Sequence, residues 1–357
     1  MTVISLPTLG YQSFFQSQLS LDEWEQLSPC RVISVQRDLT LCLGIDEHDK
    51  PVTHAIDAYH WREAEGADRP TIGDWLLIDN DGLPVRRLSR STYLQRRRAG
   101  VETGVQSIAA NIDTVFIVTS CNEEFSVNRV ERYLALISEA GALAVVVLTK
   151  TDLCDEIDGY VHAIQESNPL VPVVSVNATD PTCCETLVPW LGRGQTIALL
   201  GSSGVGKSTL TNALLGSTAQ ATGEIRTADS KGRHTTSSRS LHLLPCGAVL
   251  IDTPGMRELQ IFDAADGINT TFADITALAA GCRFHDCAHQ GEPGCAVSEA
   301  VARGELSGRR LDNYHKLLRE QAHAEETHAE RRRNDKALGR FYKRTLKESN
   351  KLKSRDR

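Results

Sequence analysis

No apolar run in the 357 residues approaches the length of a membrane span, and Met1 to Gly10 lack the basic start and apolar stretch of a secretory signal. Insertion into a membrane is excluded as a first reading, and a soluble cytosolic protein is expected. Cysteine is too sparse for a disulfide scaffold, with ten residues spread over a chain of this length. Positive charge is short as well. The formal net charge of -7 argues against a generally basic nucleic-acid binder. The composition is not that of a disordered chain either, since 41% of residues are hydrophobic. The length suffices for two or three domains with a sizeable core.

What is present is unevenly placed. Residues 331–357 carry 12 Lys/Arg against 3 Asp/Glu, a net +9 that leaves -16 on the rest. An acidic body with a basic tail suggests that the tail meets a polyanion. Three cysteines crowd into Cys282, Cys287 and Cys295, with His285 and His289 among them. That is the pattern of reduced thiols plus one metal site. The adjacent Cys183 and Cys184 read as small buried residues without a role.

Hydrophobic patterning divides the chain. Residues 1–28 read as a loosely structured N-terminal extension. From 29 to 100, short runs at Arg31–Val35, Leu39–Gly44, Asp74–Ile78 and Val85–Leu88 are separated by Gly, Pro and Asp. They predict a small β-barrel or sandwich, and the segment ends in Arg96, Arg97 and Arg98. Over 101–271 the grammar becomes βαβ. Apolar strands are predicted at Thr114–Val118, Ala144–Leu148, Val171–Val176, Thr196–Leu200 and Ala248–Ile251, with helices at Val127–Ala140 and Ser208–Leu215. Continuous apolar strands alternating with helices imply a doubly wound parallel sheet. The polar stretch Gly216–Ser240 is expected to be a mobile loop. Residues 272–330 predict short helices, the Cys/His knot and a long charged helix from about Ser307, and 331–357 form the basic tail.

The chemistry starts at Gly201-Ser202-Ser203-Gly204-Val205-Gly206-Lys207-Ser208, which fits G-x-x-x-x-G-K-[ST] between a predicted strand and a predicted helix, with Thr209 following. Its glycines let backbone N–H groups converge on phosphate oxygens, and the helix N-terminus favours negative charge. Lys207 supplies charge to the β/γ-phosphates, and the Ser208 hydroxyl suits Mg²⁺. Asp252-Thr-Pro-Gly255 then ends a buried strand: the Asp can hold Mg²⁺ through water, and the Gly255 amide can sense a γ-phosphate. Upstream, Thr149-Lys150-Thr151-Asp152 closes another apolar strand. The Asp152 carboxylate accepts from the guanine N1–H and N2–H₂, donors that adenine does not offer in that arrangement. The Lys150 stem covers the base, and Ser175-Val-Asn-Ala178 resembles the backbone loop that reads guanine O6. These guanine motifs precede the phosphate loop, the reverse of the usual GTPase order. The chain is therefore predicted to be circularly permuted, with Asp180–Gly194 joining the former termini.

The group that activates water is not the usual Gln, because Met256 stands at that position. His234, between Arg233 and Thr235 in the polar loop, is the candidate, an imidazole that titrates near neutrality. The competing reading is that it contacts RNA or phosphate. Either Thr235 or Thr236 is expected to ligate Mg²⁺. The knot Cys282-x₄-Cys287-x-His289-x₅-Cys295 offers three thiolates and an imidazole, a closed tetrahedral set suited to one structural Zn²⁺.

Together these stretches, with Ala109–Asp113, Arg132–Leu134, Thr149–Leu153, Lys231–Thr236 and Gly73-Asp74-Trp75, resemble the bacterial small ribosomal subunit biogenesis GTPases, ribosome biogenesis GTPase A, over about residues 30–345. The resemblance implies an OB-fold barrel, a permuted GTPase domain and a helical zinc-binding domain, with GTP, Mg²⁺ and Zn²⁺ bound. It implies action on the 30S subunit and its 16S rRNA, with the barrel, arginine run and tail facing RNA, and it favours His289 over His285 as the fourth zinc ligand. A monomer is expected. The family's usual Asn is Thr149 here, which lacks the amide that reaches guanine N7 and so implies weaker or slower GTP binding. Two other classes compete: a GTP-gated RNA-binding module with negligible hydrolysis, and a small-molecule kinase. The kinase needs neither Thr149–Asp152 nor the knot.

Overall fold

The computed structural model describes residues 4–64, 66–97, 105–180, 182–216, 240–252 and 264–322. Arg98, His234, Thr235, Thr236, Gly255, Met256 and the basic tail lie outside them. Among the described residues, no helix is long and apolar enough to cross a membrane.

Five antiparallel strands follow the N-terminal segment: β1 (Ser28–Val35), β2 (Leu39–Ile45), β3 (Pro51–Asp57), β4 (Trp75–Ile78) and β5 (Pro84–Arg87), in the order β3-β2-β1-β4-β5. This is the five-stranded OB-type barrel. Alternation assigns its two faces. Cys30, Val32, Leu76 and Ile78 build one buried cluster with Cys42 and Ile56. Ile33, Trp75 and Leu77 face the other way, into the main core. β3 escaped the sequence reading because only Ile56 of its seven residues is buried. A hairpin of β6 (Tyr93–Arg97) and β7 (Val105–Ala110) comes next.

The second sheet is β10-β9-β8-β11-β13-β12, from β8 (Thr114–Ser120), β9 (Leu143–Thr149), β10 (Val173–Ser175), β11 (Thr196–Leu200), β12 (Ser240–Leu243) and β13 (Val249–Asp252). All its ladders are parallel except β12 with β13. Every residue of β8 is buried, as a central parallel strand rich in β-branched residues should be. Val115, Ile117, Val146 and Leu148 point into one cluster, and Phe116, Val118, Val145 and Val147 into the other, so both faces are covered. Helix α3 (Val127–Glu139) covers the first face with Val130, Tyr133, Leu134 and Ile137. It is capped by the Ser126 hydroxyl and closed by Gly141 at φ 78°. Helix α4 (Ile157–Ser167) follows β9, and α5 (Lys207–Leu215) follows β11. The C-terminal module holds α6 (Ala265–Thr271), α7 (Ala273–Ala279), α8 (Ala296–Ala302) and a helix over 308–322, α9.

The expectation of a loosely structured N-terminal extension is corrected. The helices α1 (Ser13–Gln16) and α2 (Leu21–Gln26) lie here. Leu9, Tyr11 and Phe15 are buried, and the two rings sit 4.8 and 5.9 Å from the fully buried Trp75. Helices of four and six residues are too short to show periodicity. The one local signal was Ser20-x-x-Glu23, whose reciprocal capping box is formed. Arg31 of β1 fastens the segment down. It is 1% exposed and donates to the carbonyls of Leu9, Gly73 and Asn111 and to the Thr196 hydroxyl, joining extension, barrel, connector and β11. Burial lowers its guanidinium to about 10, with Asp113 and Asp74 opposing the shift, so it remains a cation at neutral pH.

Candidate functional site: a nucleotide edge and a thiol–imidazole knot

The parallel register brings the motif residues to one edge of the sheet. Thr149 ends β9 opposite Ser120, Leu200 ends β11 opposite Ile117, and Asp252 ends β13 one residue past the Ile251–Ala198 pair. Ser175 ends β10 beside Leu148. Motifs that lie far apart in the chain, in permuted order, therefore share the carboxyl end of one sheet, where ligands of open α/β folds bind.

Gly201 to Gly206 form the loop between β11 and α5. Gly204 and Gly206 take left-handed φ values of 81° and 93°, which glycine adopts without strain. Gly201 is needed for space: a Cβ there would lie 2.2 Å from the Val118 carbonyl oxygen of β8. Ser203 is exposed, Val205 is buried beneath the loop, and Ser208 and Thr209 lie in the first turn of α5. Lys207 folds back, its Nζ donating to the Gly201 carbonyl at 2.7 Å and to that of Ser202. A cation is thus held over a ring of backbone groups at a helix N-terminus, an arrangement able to bind phosphate.

Thr149 is fully buried, and its hydroxyl donates to the Val205 carbonyl at 2.6 Å, with the Thr119 carbonyl at 3.2 Å. It ties the end of β9 to the phosphate loop. Lys150 then reverses the chain at φ 57°, an uncommon left-handed conformation outside glycine. The turn Thr151–Leu153 presents the exposed Asp152 carboxylate, and Asp252 is exposed at its own strand end. After Ser175, Asn177 Oδ1 accepts from the Thr179 amide at 3.0 Å and hydroxyl at 2.7 Å, shaping the neighbouring loop.

One contact to this edge was not foreseen from the sequence. Arg129 of α3 donates to the Ser202 hydroxyl at 2.9 Å. No motif marks an arginine on an amphipathic helix as a partner of the loop.

The knot gathers Cys282, Cys287, His289 and Cys295, with all ligand atoms within 4.8 Å of one another. His285 is not in the cluster, and the left-handed turn at His289 (φ 58°) belongs to the residue that is. Tetrahedral Zn²⁺ with bonds of about 2.3 Å to sulfur and 2.0 Å to nitrogen requires S···S edges of about 3.8 Å and S···N edges of about 3.5 Å. Cys282 Sγ lies 3.9 Å from Cys295 Sγ, and His289 Nδ1 lies 3.6 and 3.5 Å from these two sulfurs. The donor set therefore fits zinc in chemistry and spacing. Burial disfavours ionising Cys295, but the Ser298 hydroxyl and amide and the His289 ring outweigh it and bring the thiol down to about 6. Cys287 is pushed up to about 12 by burial and the neighbouring thiols, against the His289 amide.

Fold and edge together define a circularly permuted P-loop nucleotide-binding protein with a guanine-type motif. The profile of the RsgA GTPase family matches residues 87–262. A profile of ABC transporters matches 190–335, a stretch that includes the phosphate loop but not Thr149–Asp152. The small ribosomal subunit biogenesis GTPase RsgA 2 of Vibrio vulnificus is 46% identical over 98% of this chain and 97% of its own. The RsgA of Mesorhizobium japonicum is 45% identical over 89% and 90%. Among solved structures, YjeQ of Thermotoga maritima aligns with a TM-score of 0.60 at 25% identity, over 82% of this chain and 99% of that one. YloQ, a circularly permuted GTPase, shares the fold at a TM-score of 0.59 and 22% identity, over 84% and 96%. The chain belongs to the RsgA family of small ribosomal subunit biogenesis GTPases.

Proposed function

We infer that this protein binds GTP with Mg²⁺ and hydrolyses it during maturation of the small ribosomal subunit, in contact with the 16S rRNA of the 30S particle, as a cytoplasmic monomer. The observation that carries the reading is the convergence of Thr149–Asp152, Gly201–Ser208 and Asp252 on one sheet edge. Asp152 selects guanine, the Lys150 stem covers the base, and the loop after Ser175 reads O6. The amides from Gly201 to Lys207 and the Lys207 ammonium hold the phosphates. Ser208, Asp252 and Thr235 or Thr236 would hold Mg²⁺, which would supply positive charge against the phosphates. The Gly255 amide senses the γ-phosphate, and His234 orients the attacking water. Cys282, Cys287, His289 and Cys295 hold a structural zinc that folds a module with little core of its own. The barrel and the basic tail face RNA.

The test is GTP turnover by the purified protein with and without 30S subunits, with ATP as control. Stimulation specific to GTP supports the reading. GTP binding without stimulated turnover favours the GTP-gated RNA-binding module. His234→Ala is expected to cut stimulated turnover by about 100-fold or more while GTP affinity is kept, the usual range for loss of a general base. An unchanged stimulated rate in that variant refutes its role.

Thr149 gives a second expected outcome. Thr149→Val keeps the shape but leaves the buried Val205 carbonyl without its donor, a loss of about 1–3 kcal/mol. GTP affinity is expected to fall roughly tenfold in a fluorescent-nucleotide titration. Preference for GTP over ATP should persist, because Asp152 rather than Thr149 makes that choice.

A further inference from the structure

Helix α3 touches the phosphate loop with one residue and the C-terminal helix with that residue's neighbours. Arg129 Nη1 donates to Ser202 Oγ at 2.9 Å and to the Glu124 carbonyl at 3.2 Å. Within the same turn, Asn128 Oδ1 accepts from Arg309. Glu131, with no exposed surface, accepts from Arg309 at 3.0 Å, from Arg310 at 2.9 Å and from Asn313 at 2.5 Å. Arg132 donates to Glu320 at 2.6 Å. Arg309, Arg310, Asn313 and Glu320 all lie on α9.

The chemistry makes this contact stiff. A carboxylate as buried as Glu131 is destabilising by several kcal/mol when unpaired, so α9 must stay in register with α3. Arg310 is held in turn by both oxygens of Asp274 on α7, at 2.7 and 2.8 Å, with its guanidinium 4.7 Å from the Phe272 ring centroid. Arg309 also donates to the Ser167 hydroxyl at the end of α4, the helix that follows the guanine motif. A displacement of α9 therefore loads α3 at Glu131 and Arg132, within one turn of the arginine that grips the loop.

We propose that α3 is a strut through which the C-terminal helix α9 sets the position of the phosphate loop, with Arg129 as the positioning residue that carries the effect to Ser202. The proposal rests on reading Gly201–Ser208 as a nucleotide loop. Because linkage is reciprocal, nucleotide in the loop also holds α9 in place.

Position in space does not by itself prove coupling, so the test is a double-mutant cycle in the full-length protein. Dissociation of a fluorescent GTP analogue is measured for wild type, Arg129→Ala, Glu320→Ala and the double variant. Arg309→Lys is run in place of Glu320→Ala should the latter fold poorly. Each single change is expected to speed dissociation by about 3- to 10-fold, and Glu320→Ala should add nothing once Arg129 is gone. In the reciprocal measurement, GTP should slow amide exchange across 308–322 in wild type and not in Arg129→Ala. Multiplicative effects on dissociation overturn the strut, as does an α9 variant that releases GTP at the wild-type rate. Wild type that binds no GTP analogue would instead refute the nucleotide reading itself.

Discussion

Gly201→Ala is expected to abolish measurable GTP binding and to lower the melting temperature by roughly 6–12 °C, from an overpacking penalty of about 3 kcal/mol. The added Cβ would stand 2.2 Å from the Val118 carbonyl oxygen, a backbone atom of the neighbouring strand β8. No rotamer relieves that clash, so either the β8–β11 pairing opens or the loop lifts away from its place over α5. Gly204→Ala is the matched control. Gly204 has a left-handed φ of 81°, but a Cβ there meets nothing within 4 Å, so it adds only backbone strain of about 1 kcal/mol. Thermal melts and nucleotide titrations of the two variants separate crowding against the sheet from the general restriction that any side chain imposes. Equal effects would show that space behind Gly201 is not what the loop requires.

Loss of the proposed zinc is the second large expected effect. Chelation, or Cys287→Ser, is expected to release one zinc and to unfold the packing of α7 and α8, lowering the melting temperature in proportion to a site whose metal affinity is on the order of 10 kcal/mol. The segment that carries the ligands has few buried side chains of its own. Val297, Ala300 and Cys295 join the main core, while Arg283 to His289 are exposed or only partly covered. GTP affinity should change far less, since the ligands of the knot lie between α7 and α8 and not on the strand-end loops that carry the nucleotide motifs. His285→Ala should keep its zinc, because His285 stands outside the cluster. Metal content by elemental analysis, read beside the melts, checks both statements. A chelated protein that melts at the same temperature would show that the thiols need no metal to hold the module.

Much of the site was legible before any coordinates. A phosphate loop is a local device: a few glycines and one helix N-terminus make it, and its spacing is printed in consecutive residues. The same holds for Thr149–Asp152 at the end of an apolar strand and for four soft ligands within fourteen residues, Cys282 to Cys295. The strands that carry these motifs were readable because parallel strands buried on both faces are continuous apolar runs. β3 was missed because it is mostly uncovered, and β12 because only Leu241 of its four residues is buried, so that no apolar run marks it.

Three features had no local signature. The N-terminal segment looked loose because its stability comes from Tyr11 and Phe15 against Trp75, a residue 60 or more positions away in sequence. Arg31 reads as an ordinary arginine in a strand until its partners on four separate elements are seen. Thr149 reads as a lost base contact, whereas its hydroxyl is committed to the Val205 carbonyl.

The sequence by itself determined which residues carry the nucleotide and metal-type motifs, because a phosphate loop, a strand-end carboxylate and a thiol–imidazole set are patterns of neighbouring residues. Only the tertiary structure decided how those sites are held and joined. Arg31, Thr149, Arg129 and Glu131 act through partners that chain folding brings together, and a buried charge or hydroxyl declares its role only once the groups that satisfy it are known.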